Sequence, residues 1–321
     1  MDSRSIVILG NGFDVALGIP TRYSEFYHNS QELYRLADNG NALCKHIIDN
    51  IDGELWSDLE SGLYQYSLGI TRKFGADCYE QTEKFKTEFN ELRTALFNYL
   101  NSVAGTIVDV NKEAPALGLN IEWHELQPQY LTFNYSINTA ATADMNSRYI
   151  YNNDDTINEL RFIYQHGSIF DPHACKNHRP EDIVVGIDSQ QQVVEPSHSF
   201  LYKTCQNQHD LEKTLDVISQ KLFYIIYGCS IGDSDATYFR TIFSINQHNK
   251  VFLIYGYGIN ALNTILKNIE RICEISIDDL KAANNIVVLL DVQDVGNTRR
   301  ITRELIGTYL KRLVFDSSGS M

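Results

Sequence analysis

The sequence predicts a doubly wound α/β fold: a mainly parallel sheet with helices on both faces and a large helical insertion after the first strand. Three observations lead there. Short apolar runs rich in Val, Ile, Phe and Tyr recur along the chain, most of them end in a glycine or a polar residue, and helix-like stretches separate them. Continuous apolar runs, as opposed to alternating ones, mark strands buried on both faces.

The first strand is Ser5 to Leu9, and it runs into Gly10-Asn11-Gly12-Phe13-Asp14, a helical turn from Val15 to Gly18, and Ile19-Pro20. A strand that turns through Gly-x-Gly into a helix brings backbone N–H groups and a helix N-terminus up to a ligand, usually a phosphate or a ribose. The pattern departs from the dinucleotide fingerprint, because Val15 holds the place of the third glycine and no second strand ending in an acid follows. Asp14 adds negative charge where a pyrophosphate would sit, so it is expected to accept from a ribose hydroxyl or to cap the helix. A plain strand-to-helix turn is the alternative.

The stretch from Tyr23 to Val110 breaks the strand–helix rhythm and reads as a helical subdomain, 23–110, inserted in an α/β core of 1–22 and 111–321. Within Tyr79 to Val103, residues Phe85, Phe89, Leu92, Leu96, Tyr99 and Val103 recur at steps of 4, 3, 4, 3 and 4. That is an amphipathic helix. Trp56, Leu59, Leu63 and Tyr66 repeat the pattern one helix earlier. Glu60 lies one position past that stripe: a solvated face is its ordinary reading, an inward turn the other.

Further strands are expected at Tyr130–Phe133, Arg161–Tyr164, Ile183–Val185, Leu222–Tyr227, Val251–Tyr255 and Ile286–Leu290. The stretch His173 to Ser199, rich in His, Pro, Asn and Gln, reads as loop around the third of these. Several strands end on chemistry. Asn134 follows the second strand of the chain, His166-Gly167 the third, and Gly228-Cys229-Ser230-Ile231-Gly232-Asp233-Ser234-Asp235 the run ending at Tyr227, with Ser234 or Asp235 placed to cap the helix through Phe243. Ligands of open α/β sheets bind outside the carboxyl ends of the strands, so Gly10, Asn11, Gly12, Asp14, Asn134, His166, Gly228, Ser230, Asp233 and Asp235 are expected to converge on one crevice. Asn134 and His166 are the candidate catalytic pair, since histidine titrates near neutrality; the others are candidate ligand contacts. His173, Cys175 and His178 lack a fourth partner at a standard spacing, and no metal is expected.

Charge narrows the partners. With 27 basic and 41 acidic side chains the net charge is −14, a field that repels nucleic-acid backbones and anionic membranes unless a local basic patch intervenes. The densest basic run, Arg299, Arg300 and Arg303, falls in an amphipathic stretch. Six scattered cysteines without a C-x-x-C pair point to reduced thiols. No apolar run reaches the roughly 18 residues of a membrane span, so the expectation is a cytoplasmic protein whose partner is a small-molecule nucleotide, with homo-oligomer formation left open.

Gly10-Asn11-Gly12-Phe13-Asp14 with Leu17-Gly18-Ile19-Pro20-Thr21 and Tyr23, Trp56 to Glu60, Phe133-Asn134-Tyr135, His166-Gly167, and Gly228-Cys229-Ser230-Ile231-Gly232-Asp233 with Asp235 resemble the AbiH family of bacterial phage abortive-infection proteins. The resemblance implies a role in antiphage defence and a phage-encoded trigger. More distantly, Gly10-Asn11-Gly12, Gly18-Ile19-Pro20, Thr132-Phe133-Asn134-Tyr135-Ser136 and His166-Gly167 are similar to the SIR2-like superfamily, with Ser136 where that superfamily usually has aspartate. This similarity implies a Rossmann-like sheet and NAD as substrate or ligand. It also implies Gly10 to Gly12 at the diphosphate, Asn134 orienting a water or a ribose hydroxyl, and His166 as the catalytic histidine. The four-cysteine zinc module of the deacetylase branch has no counterpart. The expected function is therefore hydrolysis of NAD or a related nucleotide in defence. The alternatives are a non-catalytic nucleotide sensor and a metal-dependent nuclease that uses Asp14, Glu60, Asp233 and Asp235.

Overall fold

A computed structural model of the chain describes residues 4–50, 59–75, 78–104, 123–135, 162–167, 169, 179–188, 192–206, 211–244 and 248–318. Its centre is a parallel sheet of six strands: β1 (Ser5–Leu9), β2 (Gln129–Thr132), β3 (Phe162–Tyr164), β4 (Phe223–Tyr227), β5 (Val251–Gly256) and β6 (Ile286–Asp291). They lie in the order β3-β2-β1-β4-β5-β6, every neighbouring pair parallel. This is the 3-2-1-4-5-6 order of doubly wound dinucleotide-binding sheets.

The apolar runs are continuous because helices cover both faces. Successive side chains of a strand point to opposite sides, so Val7 and Leu9 join Phe223, Ile225, Tyr227, Leu253 and Tyr255 in one core while Ile6 and Ile8 join Tyr224, Ile226, Phe252 and Ile254 in the other. The first core is closed by helix α1 (Gly12–Ala16) through Phe13 and, at the chain's end, by α12 (Val295–Ser318) through Ile306. The second is closed by α9 (Ala236–Ile242), α10 (Gly258–Cys273) and α11 (Ile277–Ala282), which contribute Phe239, Ile242, Ile265, Ile269, Ile272 and Leu280, and by α8 (Leu211–Ser219) through Ile218.

A third core belongs to the helical layer: α2 (Tyr23–Asn29), α3 (Gln31–Asp38), α4 (Ala42–Asp49), α5 (Leu59–Phe74) and α6 (Tyr79–Ala104). Local chemistry starts two of these helices, since Ser30 accepts from the amide of Leu33 and Asn41 from that of Cys44, each satisfying an amide the helix leaves open. The 26 residues of α6 span about 39 Å and bury Phe85, Phe89, Leu92, Leu96 and Tyr99, the stripe expected from the spacing. On α5, Leu59 and Leu63 are buried, whereas Trp56 lies outside the described residues.

One expected strand is absent. Ile183 to Val185 makes a single antiparallel bridge, Ile183 to Gly167, and no ladder. The side chains of Ile183 and Val185, with Ile187, Val194 and Leu201, sit in the helical layer's core beside Phe85 and Phe89. A short apolar run carries no mark of which core it fills, and here tertiary burial without strand pairing accounts for it. The chain then runs through a turn at Pro196–Leu201 into the short helix α7 (Lys203–Gln206). That path carries Lys203 to the edge of the sheet.

Candidate functional site

The chain builds β1, β2 and β3 outward on one side and β4, β5 and β6 on the other, so the order reverses between β1 and β4. Ligand crevices of open sheets form at such a reversal. Four loops meet there: those after β1, β2, β3 and β4.

At the β1–β4 seam the glycines serve backbone contact. The amide of Gly10 donates to the carbonyl of Tyr227 at 2.9 Å and that of Gly12 to the carbonyl of Gly228 at 2.9 Å. A Cβ on Gly10 would stand 2.4 Å from the Gly228 oxygen, one on Gly12 2.6 Å from the Gly228 Cα, and one on Gly228 2.5 Å from the Phe13 nitrogen. Of the two readings of the Gly-x-Gly signal, a ligand loop and a plain strand-to-helix turn, these two amides fit the second, since both already have protein acceptors. Helix α1 has only five residues, so its N-terminus is a weak anion site as well. Asn11 is exposed and exchanges hydrogen bonds with Thr21, pinning the Gly18-Ile19-Pro20 turn, while Asp14 is buried within α1.

After β2, Asn134 is 3% exposed. Its amide donates to the Thr132 hydroxyl at 3.0 Å and its Nδ2 to the Gly10 carbonyl at 3.0 Å, which ties the β2 loop to the β1 loop. Its Oδ1 is buried and accepts from no group of the described residues. An unmet buried acceptor costs about 1–3 kcal/mol, so this oxygen is poised for a donor from outside the chain.

After β3, the His166 ring packs between Phe133 and Tyr135, with ring centroids 5.3 and 5.8 Å away. Its carbonyl accepts from Val184 at 2.8 Å, and Gly167 follows at φ +73°, with the Asp182 carbonyl where a side chain would begin. The ring's Nε2 lies 2.9 Å from Asp235 Oδ1. Asp235 stands at the N-cap position of α9 without capping it, contrary to the expectation. The cap comes instead from Asp188, whose Oδ2 accepts from the amide and the hydroxyl of Thr237 at 3.1 and 2.7 Å.

The Asp235 carboxylate is engaged with a lysine that the sequence did not mark. Lys203 Nζ is 3.0 Å from Asp235 Oδ1, 3.0 Å from the Ser234 carbonyl, 3.2 Å from His166 Nε2 and 3.7 Å from Glu60 Oε1. Glu60 is 3% exposed and accepts from the Tyr23 hydroxyl at 3.0 Å. Of its two readings, the inward turn is the one observed. The Tyr23 hydroxyl lies 3.4 Å from that of Tyr135, which donates to the Val184 carbonyl at 2.9 Å. Burial alone would raise the Asp235 pKa. Lys203 and His166 outweigh it and hold the carboxyl well below the usual carboxylate range. The neighbouring Cys229 thiol is pushed up by burial and by Asp235, so it is no thiolate nucleophile.

The β4 loop divides the remaining candidates. Gly228 is in the seam and Asp235 beside His166, whereas Ser230 is exposed with its carbonyl accepting from Asn268, and Asp233 pairs with Arg271 at 2.6 Å. Both of those partners lie on α10, so Ser230 and Asp233 are drawn away from the histidine. Of the four carboxylates considered as cation ligands, Glu60 and Asp235 share the ammonium of Lys203 and Asp233 has its arginine. Among the described residues no group of three or more His, Cys, Asp or Glu is placed to hold a metal ion; His173, Cys175 and His178 lie outside them. No described helix is long and apolar enough to cross a membrane.

Lys203 and Asp188 escaped the sequence reading, because each reaches the site from a segment without a strand-end motif; Tyr23 and Tyr135 stood only among the residues of the family resemblance, with no role attached. Glu60 carried a further signal, its offset from the apolar stripe. A family model described as bacteriophage abortive infection AbiH matches residues 6–257, a span that holds every residue of this cluster. No curated protein matches the chain.

Proposed function

The chain belongs to the AbiH family of bacteriophage abortive-infection proteins, and we propose that it serves that defence by binding NAD or a related nucleotide at the switch-point crevice and hydrolysing its N-glycosidic bond. The observation that carries this reading is the unpartnered, buried Oδ1 of Asn134 at the same sheet edge as a histidine–aspartate pair.

Nicotinamide leaves a pyridinium as a neutral molecule, so no general acid is needed at the leaving group, unlike an ordinary glycoside. The site must instead steady an oxocarbenium-like ribose and place a nucleophile. Asn134 Oδ1 accepts from a ribose hydroxyl or from the attacking water, a contact its tie to Gly10 holds in place. In the tautomer that donates from Nε2 to Asp235, 2.9 Å away, the His166 ring keeps its lone pair on Nδ1, and that nitrogen takes the proton from water or hydroxyl. The residues present fit the ribose end of the ligand; the amides of Gly10 and Gly12 do not supply the diphosphate contact. A nuclease using two of these carboxylates on a divalent cation would have to displace Lys203 from between Glu60 and Asp235, and that reading is set aside.

The test is nicotinamide release from NAD by the purified protein, with and without lysate from phage-infected cells. Release is expected in at least one condition, falling roughly 100-fold or more in Asn134→Ala and in His166→Ala. Absence of release in both conditions, or undiminished release by the variants, overturns the reading.

A further inference from the structure

We propose that Lys203 is a positioning residue of this site: its ammonium group, anchored by Glu60 of the helical layer, keeps Asp235 the anion that orients the His166 ring. This rests on the reading of His166 as the proton acceptor.

The geometry holds Lys203 between acceptors. An ammonium has three protons and no acceptor. Lys203 directs two at the Ser234 carbonyl and Asp235 Oδ1, each at 3.0 Å, and has Glu60 at 3.7 Å for the third. It is 8% exposed, so it is not free to reach out to a phosphate, and a charged amine so paired is no nucleophile. His166 Nε2 lies 3.2 Å from Lys203 Nζ and 2.9 Å from Asp235 Oδ1; the ring proton is assigned to Nε2, donated to the carboxylate oxygen that also accepts from the ammonium. The arrangement is an orienting acid behind a histidine, the logic of catalytic triads, with one addition: a buried cation that keeps the acid ionised.

The groups facing Asp235 show why the cation matters. From β3's end comes His166, from α7 Lys203, from the β4 loop the Cys229 thiol, and from α9 the Tyr238 phenol; Asp188 lies beyond Tyr238 and Glu60 beyond Lys203. Two of these are further carboxylates, and burial by itself pushes an acid towards its neutral form. Without Lys203, Asp235 either takes up a proton, and becomes a weaker, uncharged acceptor for Nε2–H, or draws one onto the imidazole, which then cannot act as a base. Glu60 enters because α5 supplies it: the helical layer fixes the lysine that fixes the acid.

The experiment has two arms. In the first, carboxyl ¹³C spectra of aspartate-labelled protein, with the Asp235 signal assigned by Asp235→Asn, are titrated for the wild type and Lys203→Met. Asp235 is expected to remain ionised to lower pH in the wild type and to take its proton at higher pH in the variant. Lys203→Gln keeps a donor without the charge and gives the same measurement should Lys203→Met fail to fold. In the second arm, the pH profile of nicotinamide release is recorded. The acid limb is expected to move to higher pH in the variant, with kcat lowered on the order of 10²-fold and KM little changed. An unchanged Asp235 titration in the folded variant overturns the proposal. Absence of release by the wild type overturns the reading of the reaction instead, and the first arm still decides the role of Lys203.

Discussion

Gly228 shows how far one missing side chain can carry a structure. It sits at φ +68°, where an L-residue is strained, and its Cα packs against Gly12 so closely that a Cβ would stand 2.5 Å from the Phe13 amide nitrogen. Backbone has no far end that can swing aside. Gly228→Ala therefore combines a left-handed penalty with overpacking, about 1–3 kcal/mol each, and should lower the urea midpoint by an amount equivalent to roughly 2–6 kcal/mol. Ala at Gly296, which has open space at its Cβ position and no positive φ, is the matched control and should stay within about 0.5 kcal/mol. The same residue scale explains why two readings of the Gly-x-Gly turn stay open in the sequence. Glycines flanking a strand end look alike in sequence whether they admit a phosphate or another loop's backbone, and only the position of Gly228, more than 200 residues away in the chain, tells the two apart.

At the scale of elements, α9 illustrates a division of labour between two aspartates. Asp235 occupies the N-cap position, yet its carboxylate is turned to Lys203 and His166, and Asp188 caps the helix from another segment. Replacing Asp188 with Ala removes two hydrogen bonds to Thr237 and should cost about 0.5–2 kcal/mol, the range for a lost cap. Chemical denaturation checks the size, and Thr237→Val in the Asp188→Ala background should add less than it does alone. The strands themselves are legible, because burial on both faces leaves an unbroken apolar and aromatic run from Ile6 to Leu9 and through β4 and β5. The α6 stripe was legible for the complementary reason, one buried face at helical spacing. Ile183 to Val185 was not, since three apolar residues fit a strand and a patch of helical core equally well.

For the whole molecule, the strand-end rule brought Asn134, His166, Gly10, Gly228 and Asp235 to one edge of the sheet before any coordinates were needed. The charges around the histidine stayed hidden because they arrive from α5 and α7, over 140 residues apart in sequence, and no local pattern links Glu60 to Lys203. The strand order has a further consequence, in time. β1 lies at the middle of the sheet but leaves the ribosome first; its neighbour β2 begins at Gln129 and its other neighbour β4 ends at Tyr227. At about 5–20 residues per second, the central strand waits roughly 10–45 s for its second partner. Throughout that wait its apolar edge is open to pairing with other chains. Arrested nascent chains should therefore show protease protection of β1 only once β4 has emerged, and protection before that point would contradict the account. The strand that anchors the crevice is thus the one most dependent on the rest of the chain being made, which ties the yield of folded protein to the pace of synthesis.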